Sequence, residues 1–254
     1  MNARTIWISD LHLGTKLCQD EKLLKFLKSF ENEDKTGYNL EKLYLNGDII
    51  DVLQMDHKVF WGKHRTIIKK FLRMADKSVK IVAVQGNHEH NLFDEILNND
   101  MSDINLNGIS FKEQDIHIGV DGKKYLVMHG HQFDGVVRLN PILYALGDNL
   151  YKFMNIINKV QNTIRKFFGY NEWSFSLWIK TRVKEAVKFI NNFEKLVVEE
   201  AKRQNVDGVI NGHLHVLEDK MIDGIRYLNS GTMVEFCSYI IEHEDGAIEA
   251  KYYE

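Results

Sequence analysis

The sequence predicts an α/β domain built on a mainly parallel sheet, with a helical insertion. Three observations lead there. Short apolar runs alternate with stretches of helical periodicity through Val84. Strand-like runs return from Gly208 onward. Between them, over 138–205, apolar residues recur at helical spacing.

Each element follows from its own pattern. Thr5–Ser9 reads as a buried strand. Glu21–Phe30 places Leu23, Leu24, Phe26, Leu27 and Phe30 at helical spacing. Lys42–Leu45 is the second strand. Val59–Met74 is a helix with Ile67, Ile68, Phe71 and Leu72 inward, and Lys80–Val84 is the third strand. This β-α-β-α-β order calls for parallel strands joined by helical crossovers. Asp115–Gly119 and Lys124–Met128 flank the turn signal Asp121-Gly122. Gly208–Asn211, Ile225–Leu228, Val234–Ile241 and Ile248–Tyr252 complete the strands, broken by Asp223-Gly224 and Asp245-Gly246. In the insertion, Leu143, Leu146, Leu150, Phe153, Ile157, Val160, Ile164 and Phe167 mark one helical face. Val183, Val187, Ile190, Phe193 and Val197 mark another. Pro141 suits a helix start there. The expected division is a core of 1–137 and 206–254 carrying the insertion 138–205. Alternatively, those helices are simply part of one core.

Composition sets limits. The chain has 254 residues, 44% of them hydrophobic, and a net charge of −3. That length buries a large core without disulfides, and the two cysteines, Cys18 and Cys237, suit a reducing compartment. Near-neutral charge gives no electrostatic case for a general nucleic-acid binder. The insertion holds 12 Lys/Arg against 6 Asp/Glu, a net +6, which leaves −9 on the remainder. No targeting signal and no spanning run stand out, so a cytoplasmic location is expected.

Polar blocks collect where the strands end. They are Asp10 and His12; Asn46, Gly47, Asp48 and Asp51; Gly86, Asn87, His88 and Glu89; His129, Gly130 and His131; and Gly212, His213 and His215. Ligands of open α/β sheets bind beyond the carboxyl ends of the strands. Each block alone is ordinary turn chemistry. Together they offer imidazoles, carboxylates and an amide, a mixed N/O set suited to Mn, Fe, Zn or Mg.

With these blocks the chain resembles the calcineurin-like metallophosphoesterases. The motifs are Asp10-Leu11-His12, Gly47-Asp48-Ile49-Ile50-Asp51, Gly86-Asn87-His88-Glu89, His129-Gly130-His131 and Gly212-His213-Leu214-His215. They fall at intervals of 38, 40, 41 and 84 residues, counted from Asp10 through Asp48, His88 and His129 to His213, and the insertion fills the last gap. The resemblance implies an α/β/β/α sandwich with a helical lid and two divalent metal ions, Mn foremost. Asp10, His12, Asp48 and His215 would hold one ion. Asp48, Asn87, His129 and His213 would hold the other, with Asp48 bridging. His88, helped by Asn87, would act at the leaving group, and Asp51 would orient a ligand from behind. Two positions depart from the family pattern. Glu89 stands where Asp is usual and could still pair with His88. His131 stands where many members have Asp, and supports a ligand or touches substrate.

Longer stretches, Ser9–Gly14, His129–Asp134, Trp173–Ser176 and Asn229–Glu235, resemble the bacterial UDP-2,3-diacylglucosamine diphosphatases of lipid A synthesis and their homologues. That likeness implies cleavage of a pyrophosphate or phosphodiester on a lipid-linked nucleotide sugar, with peripheral contact at the anionic inner membrane face. Arg165, Lys166, Lys180, Arg182 and Lys184 would meet a diphosphate or lipid headgroups, or else form a solvated face. Phe167, Phe168, Trp173, Phe175 and Trp178 would line an acyl pocket, or else pack as core. A nucleotide phosphodiesterase or phosphoprotein phosphatase on the same scaffold is the alternative. A non-catalytic protein-binding scaffold is more remote, because every ligand and His88 are present.

Overall fold

The structure is a computed structural model that describes residues 1–34, 36–90, 108–134 and 175–254. The chain divides into two compact units, Met1–Gln132 with Leu196–Glu254, and Phe133–Lys195. The first is the α/β/β/α sandwich. Of the second, the described part is the 3₁₀ turn His131–Phe133 at its border and the first two thirds of a helix. The expected helices over 143–167 and the aromatic cluster 167–173 lie outside the described residues.

Six strands form the first sheet: β1 (Ala3–Ile8), β2 (Leu40–Asn46), β3 (Lys80–Val84), β4 (Ile109–Lys112), β10 (Ser238–Glu242) and β11 (Ile248–Tyr252), in the order β11-β10-β1-β2-β3-β4. The pairs β1–β2, β2–β3 and β3–β4 are parallel, as the β-α-β-α-β pattern requires. The second sheet contains β5 (Asp115–Ile118), β6 (Lys124–Val127), β7 (Gly208–Asn211), β8 (Leu217–Ile222) and β9 (Ile225–Ser230), in the order β5-β6-β7-β9-β8. Its central pairs β6–β7 and β7–β9 are parallel too.

Period-two alternation gives the first sheet two apolar faces. Ile6, Ile8, Leu43, Leu45, Ile81 and Ala83 face helices α1 (Asp20–Lys28) and α2 (Arg65–Asp76), meeting Leu23, Phe26, Leu27, Ile67, Phe71 and Met74. Trp7, Tyr44, Val82 and Val84 face the second sheet and pack with Tyr125, Val127, Ile210 and Leu228. Trp7 and Tyr44 stack at 5.6 Å between ring centroids, an arrangement worth about 0.5–1.5 kcal/mol beyond area burial. Helix α1 carries Asp20 and Glu21 in its first turn and Lys25 and Lys28 in its last, matching its dipole.

Several expectations are corrected. The helix expected over Val59–Met74 begins as a single turn at His57–Val59, capped by the Asp56 carboxylate, and passes through a π-turn at Phe60–His64 before α2. The extra residue in that turn directs His64 inward, where Nδ1 accepts the Gly14 N–H at 2.8 Å. Leu72, expected inward, is 40% exposed, because it follows Phe71 round the helix edge. The strand expected over Val234–Ile241 starts at Ser238, since Thr232 N and Ser238 N are taken by bonds that close a loop. Helix α3 (Phe175–Arg203) buries Phe193, Val197, Val198 and Ala201, but Val187 on the expected face is 50% exposed. Among the described residues, no helix is long and apolar enough to cross a membrane.

Candidate metal centre

Five loops leave the carboxyl ends of β1, β2, β3, β6 and β7 and carry the polar blocks. Backbone bonds knit them together. Asp10 N–H donates to Gly47 O at 3.0 Å, His12 N–H to Asp48 O at 2.9 Å, Gly212 N–H to His129 O at 3.1 Å and Met233 N–H to Asp10 O at 3.3 Å. The close approach demands glycine at two positions. Gly47 has φ +85°, and a Cβ there would stand 2.3 Å from the His129 ring. A Cβ on Gly212 would stand 2.6 Å from Ser9 Oγ and 2.8 Å from Asp10 Oδ2.

The backbone is strained at the loop tips. Asp10 (φ 53°), His12 (47°), Asp48 (51°), His213 (71°) and His215 (57°) all occupy the left-handed region. Such a conformation costs a non-glycine residue roughly 1–3 kcal/mol and persists where surrounding contacts over-determine it.

Three sets of side chains place ligand atoms within 4.8 Å of one another: Asp10, His12 and His215; His12, Asp48 and His88; and Asp48, His129 and His213. Asp48 belongs to two of them. Its Oδ1 lies 3.4 Å from His129 Nε2, and its Oδ2 lies 3.8 Å from both His12 Nε2 and His88 Nε2.

Three imidazoles turn Nε2 inward with Nδ1 hydrogen-bonded from behind, and a carboxylate stands behind Nδ1 of a fourth, His88, without a hydrogen bond of good angle. His129 Nδ1 lies 2.9 Å from Asn46 O, which makes it a donor and leaves Nε2 free to ligate. His215 Nδ1 lies 3.2 Å from Glu235 Oε2. Asp51 serves two rings at once, with Oδ2 at 3.3 Å from His12 Nδ1 and Oδ1 at 3.0 Å from His88 Nδ1. Outer partners of this kind fix the tautomer and aim of metal-bound histidines. Asp51 was expected in this role. Glu235 and the Asn46 carbonyl were not: Asn46 ends β2, and Glu235 lies in the loop between β9 and β10.

The electrostatics concentrate charge here. Burial pushes the Asp48 carboxyl up, but the imidazoles of His129 and His88 outweigh it and hold Asp48 well below the usual carboxylate range. Burial depresses His129, and the Asp48 and Asp10 carboxylates overcome it and raise His129 to about 10. His215 reaches about 10 in the same way, through Asp10 and Glu235. Burial holds His12 below its ordinary value.

Residues 3–217 match the family model of the calcineurin-like phosphoesterases. The chain belongs to this family. Similar solved structures include an archaeal phosphodiesterase, 15% identical, covering 98% of this chain and 99% of its own, with TM-score 0.49. A predicted phosphoesterase of Streptococcus pneumoniae TIGR4 is 16% identical over 99% of this chain and 98% of its own, with TM-score 0.39. A Vps29 single mutant from Entamoeba histolytica is 15% identical over 98% of this chain and 97% of its own, with TM-score 0.44. With these TM-scores below 0.5, membership rests on the family model. No curated protein matches the chain.

The donor set fits the divalent metals that calcineurin-like phosphoesterases bind. Asp10 Oδ1 and His129 Nε2 are buried and make no hydrogen bond of good angle, although each faces an opposite charge. Asn87 Oδ1 is also buried without a hydrogen-bond partner, beside the His88 N–H that donates to Asp48 Oδ1 at 3.1 Å. A carboxylate oxygen, an imidazole nitrogen and an amide oxygen held in this way suit a cation.

The two departures from the family pattern have distinct outcomes. Glu89 does not pair with His88. It is 1% exposed, and Oε1 accepts the N–H groups of Gly86 at 3.0 Å and Ile49 at 3.3 Å, tying the loops after β2 and β3 together. Burial, with Asp48 near, pushes its carboxyl up to about 8. His131 stands with its ring 5.6 Å from that of His129, and burial with the nearby His129 and His213 pushes it down to about 4, so it is a neutral neighbour of the ligands. Lys184 is exposed on α3. Arg165 and Lys166 lie outside the described residues, as do the side chains of Lys180 and Arg182. Of the histidines without a motif, His64 and His117 are buried, and His243 meets Glu249 at the surface.

Proposed function

We propose that this family member is a dinuclear metal-dependent phosphoesterase. The observation that carries the reading is the place of Asp48, grouped with His129 and His213 on one side and with His12 on the other, where His12 also groups with Asp10 and His215. Asp10, His12, Asp48 and His215 would hold one ion, and Asp48, Asn87, His129 and His213 the other. Two such ions supply a nucleophilic water at neutral pH and neutralise the phosphoryl oxygens.

The chain's own residues then orient the reaction. Asp51 sets its carboxylate 3.0 Å from His88 Nδ1, a charge that favours a protonated ring whose Nε2 would hold a proton for the leaving oxygen. Asn87 offers an amide N–H to a phosphoryl oxygen while its carbonyl ligates. The strained loops keep these groups from reorganising as charge develops.

For the substrate we infer a pyrophosphate or phosphodiester on a lipid-linked nucleotide sugar, as in the UDP-2,3-diacylglucosamine diphosphatases. The support is the likeness of Ser9–Gly14 and Asn229–Glu235, together with the net +6 of 138–205, which suits an anionic substrate or membrane face. The test is a Mn-supplemented panel of UDP-diacylglucosamine, simple UDP-sugars, cyclic nucleotides and an aryl diester. Preferred turnover of the lipid-linked substrate supports the reading. Preference for cyclic nucleotides moves the chain to the nucleotide phosphodiesterases. Asp48→Ala should abolish turnover, and wild-type protein stripped by chelator should regain activity with Mn. Full activity in Asp48→Ala would sink the dinuclear model.

A further inference from the structure

A second feature lies at the opposite end of the sandwich. The metal centre caps the carboxyl ends of the strands. At the amino ends of β1, β2 and β3, a cleft of about 600 Å³ opens between the first sheet and β5. Strand β1 has 6 residues, so at roughly 3.3 Å each the two ends are about 20 Å apart.

One wall of this cleft is cationic. Arg4, Lys42, Lys77 and Lys80 line it, against Glu41 as the acidic residue in the lining. Arg4 is engaged by Glu242 at 3.0 Å and Glu41 at 3.6 Å. Lys42 contacts Asp115 at 3.6 Å and the Tyr44 hydroxyl. Lys77 and Lys80 have no anionic partner in the cleft among the described residues; Asp115, the other nearby acid, is shared by Lys42 and Lys112. His117, at the back, is taken by Glu242 at 2.9 Å.

Strand register sharpens the point. Lys42 pairs directly with Lys80 across β2 and β3. The row two residues on, Tyr44 and Val82, faces the second sheet, so period two points both ammonium groups into the same space. Like charges directly opposite on one face destabilise a sheet. Burial holds the Lys42 ammonium below its ordinary value, Asp115 pulls the other way, and Lys112 and Lys80 add to the depression. Leu40, two residues before Lys42 on β2, lines the same wall, and β5 closes the other side with His117 turned inward and Ile116 and Ile118 turned to the opposite face.

We propose that this cleft binds the phosphate or diphosphate group of a small molecule, held by Lys42, Lys77 and Lys80. The site is separate from the metal centre and independent of the reaction assigned to it. A phosphate there relieves the repulsion between Lys42 and Lys80 and supplies an acceptor that Lys77 and Lys80 lack among the described residues.

The test is calorimetric titration of the full chain in EDTA with ADP and, separately, with inorganic pyrophosphate. Both probes should bind wild type and Asp48→Asn alike. In Lys77→Gln/Lys80→Gln, affinity should fall by at least about tenfold, the scale of one lost charge-assisted hydrogen bond. Lys80→Glu, which sets a carboxylate opposite Lys42, should raise the melting temperature without ligand and remove ADP binding. The proposal is overturned by ADP binding that is lost in Asp48→Asn, by binding that survives the double variant, or by no binding of either probe at millimolar concentration. A fall in melting temperature for Lys80→Glu would remove its physical basis.

Discussion

Asp51 places Oδ1 at 3.0 Å from His88 Nδ1 while its other oxygen lies 3.3 Å from His12 Nδ1. One buried carboxylate thus hydrogen-bonds a candidate ligand and sets its charge beside the candidate proton donor. Asp51→Asn keeps the shape but presents an amide to two rings that need an acceptor. Turnover should fall by about 10–100-fold, the usual cost of losing such a partner. Steady-state kinetics together with metal content by atomic emission checks this. Unchanged kcat at full metal loading would show that Asp51 aims neither ring.

Gly47→Ala tests the packing beneath His129. The added Cβ meets that ring at 2.3 Å, and φ is +85°. Overpacking costs about 1–3 kcal/mol and the left-handed conformation about 1–2 more. Urea unfolding should show a loss of about 2–5 kcal/mol, and activity should fall with the displacement of His129. A stability change below about 1 kcal/mol would mean the loop relaxes freely.

Metal binding should release protons. In the chelator-treated chain, His129 and His215 titrate near 10, well above the ordinary histidine value of 6.5, so both are protonated at pH 7. Ligation needs neutral imidazole. Apparent Mn affinity should therefore rise with pH across pH 6–8, and calorimetry in buffers of different ionisation enthalpy should count the protons released. The chelator-treated chain should behave oppositely in stability. Its two raised histidines contribute fully below pH 6.5, and that contribution is lost as pH rises toward 10. Buffer-independent binding heats would contradict the protonated state.

Glu89 supplies a second pH signature. Its folded value near 8 exceeds the ordinary 4.5, so ionisation in the unfolded chain withdraws stability as pH rises from 4.5 to 8. Glu89→Gln keeps an acceptor for Gly86 N–H and Ile49 N–H without the charge. The chelator-treated variant should gain on wild type across that window, and its Mn-supported turnover should stay within about twofold, since no charge-assisted bond is lost. Denaturant midpoints at pH 5 and pH 8 decide it. A variant equally stable at both, relative to wild type, would place an ionised Glu89 in the folded chain.

Much of the fold was legible in the sequence because its signals are local. The alternation of β1, α1, β2, α2 and β3 and the turns at Asp121-Gly122 and Asp223-Gly224 each sit within a few residues. The polar blocks were legible because each follows its strand directly. Strand β8 escaped notice because Glu218, Asp219 and Lys220 interrupt its apolar residues at a sheet edge. Strand β4 escaped as well, its four residues half-buried at the opposite edge. Glu89 was read by its neighbour in sequence, His88, whereas its side chain reaches backbone 40 residues away. The hold of Glu235 on His215 reaches back 20 residues across β8 and β9, from a loop with no periodicity to read.

The two sheets contribute unequally to the metal centre: Asp10, His12, Asp48 and Asn87 follow strands of the first, and His129, His213 and His215 follow strands of the second. An ion held by both is a clip across the seam of the sandwich. Neither sheet alone can assemble it, so metal capture reports that the halves have docked, and metal loss loosens the seam from one end. Loading would then add its binding free energy to the docking of the two sheets, and the rate at which chelator strips a bound ion would follow how often the sandwich opens at that end.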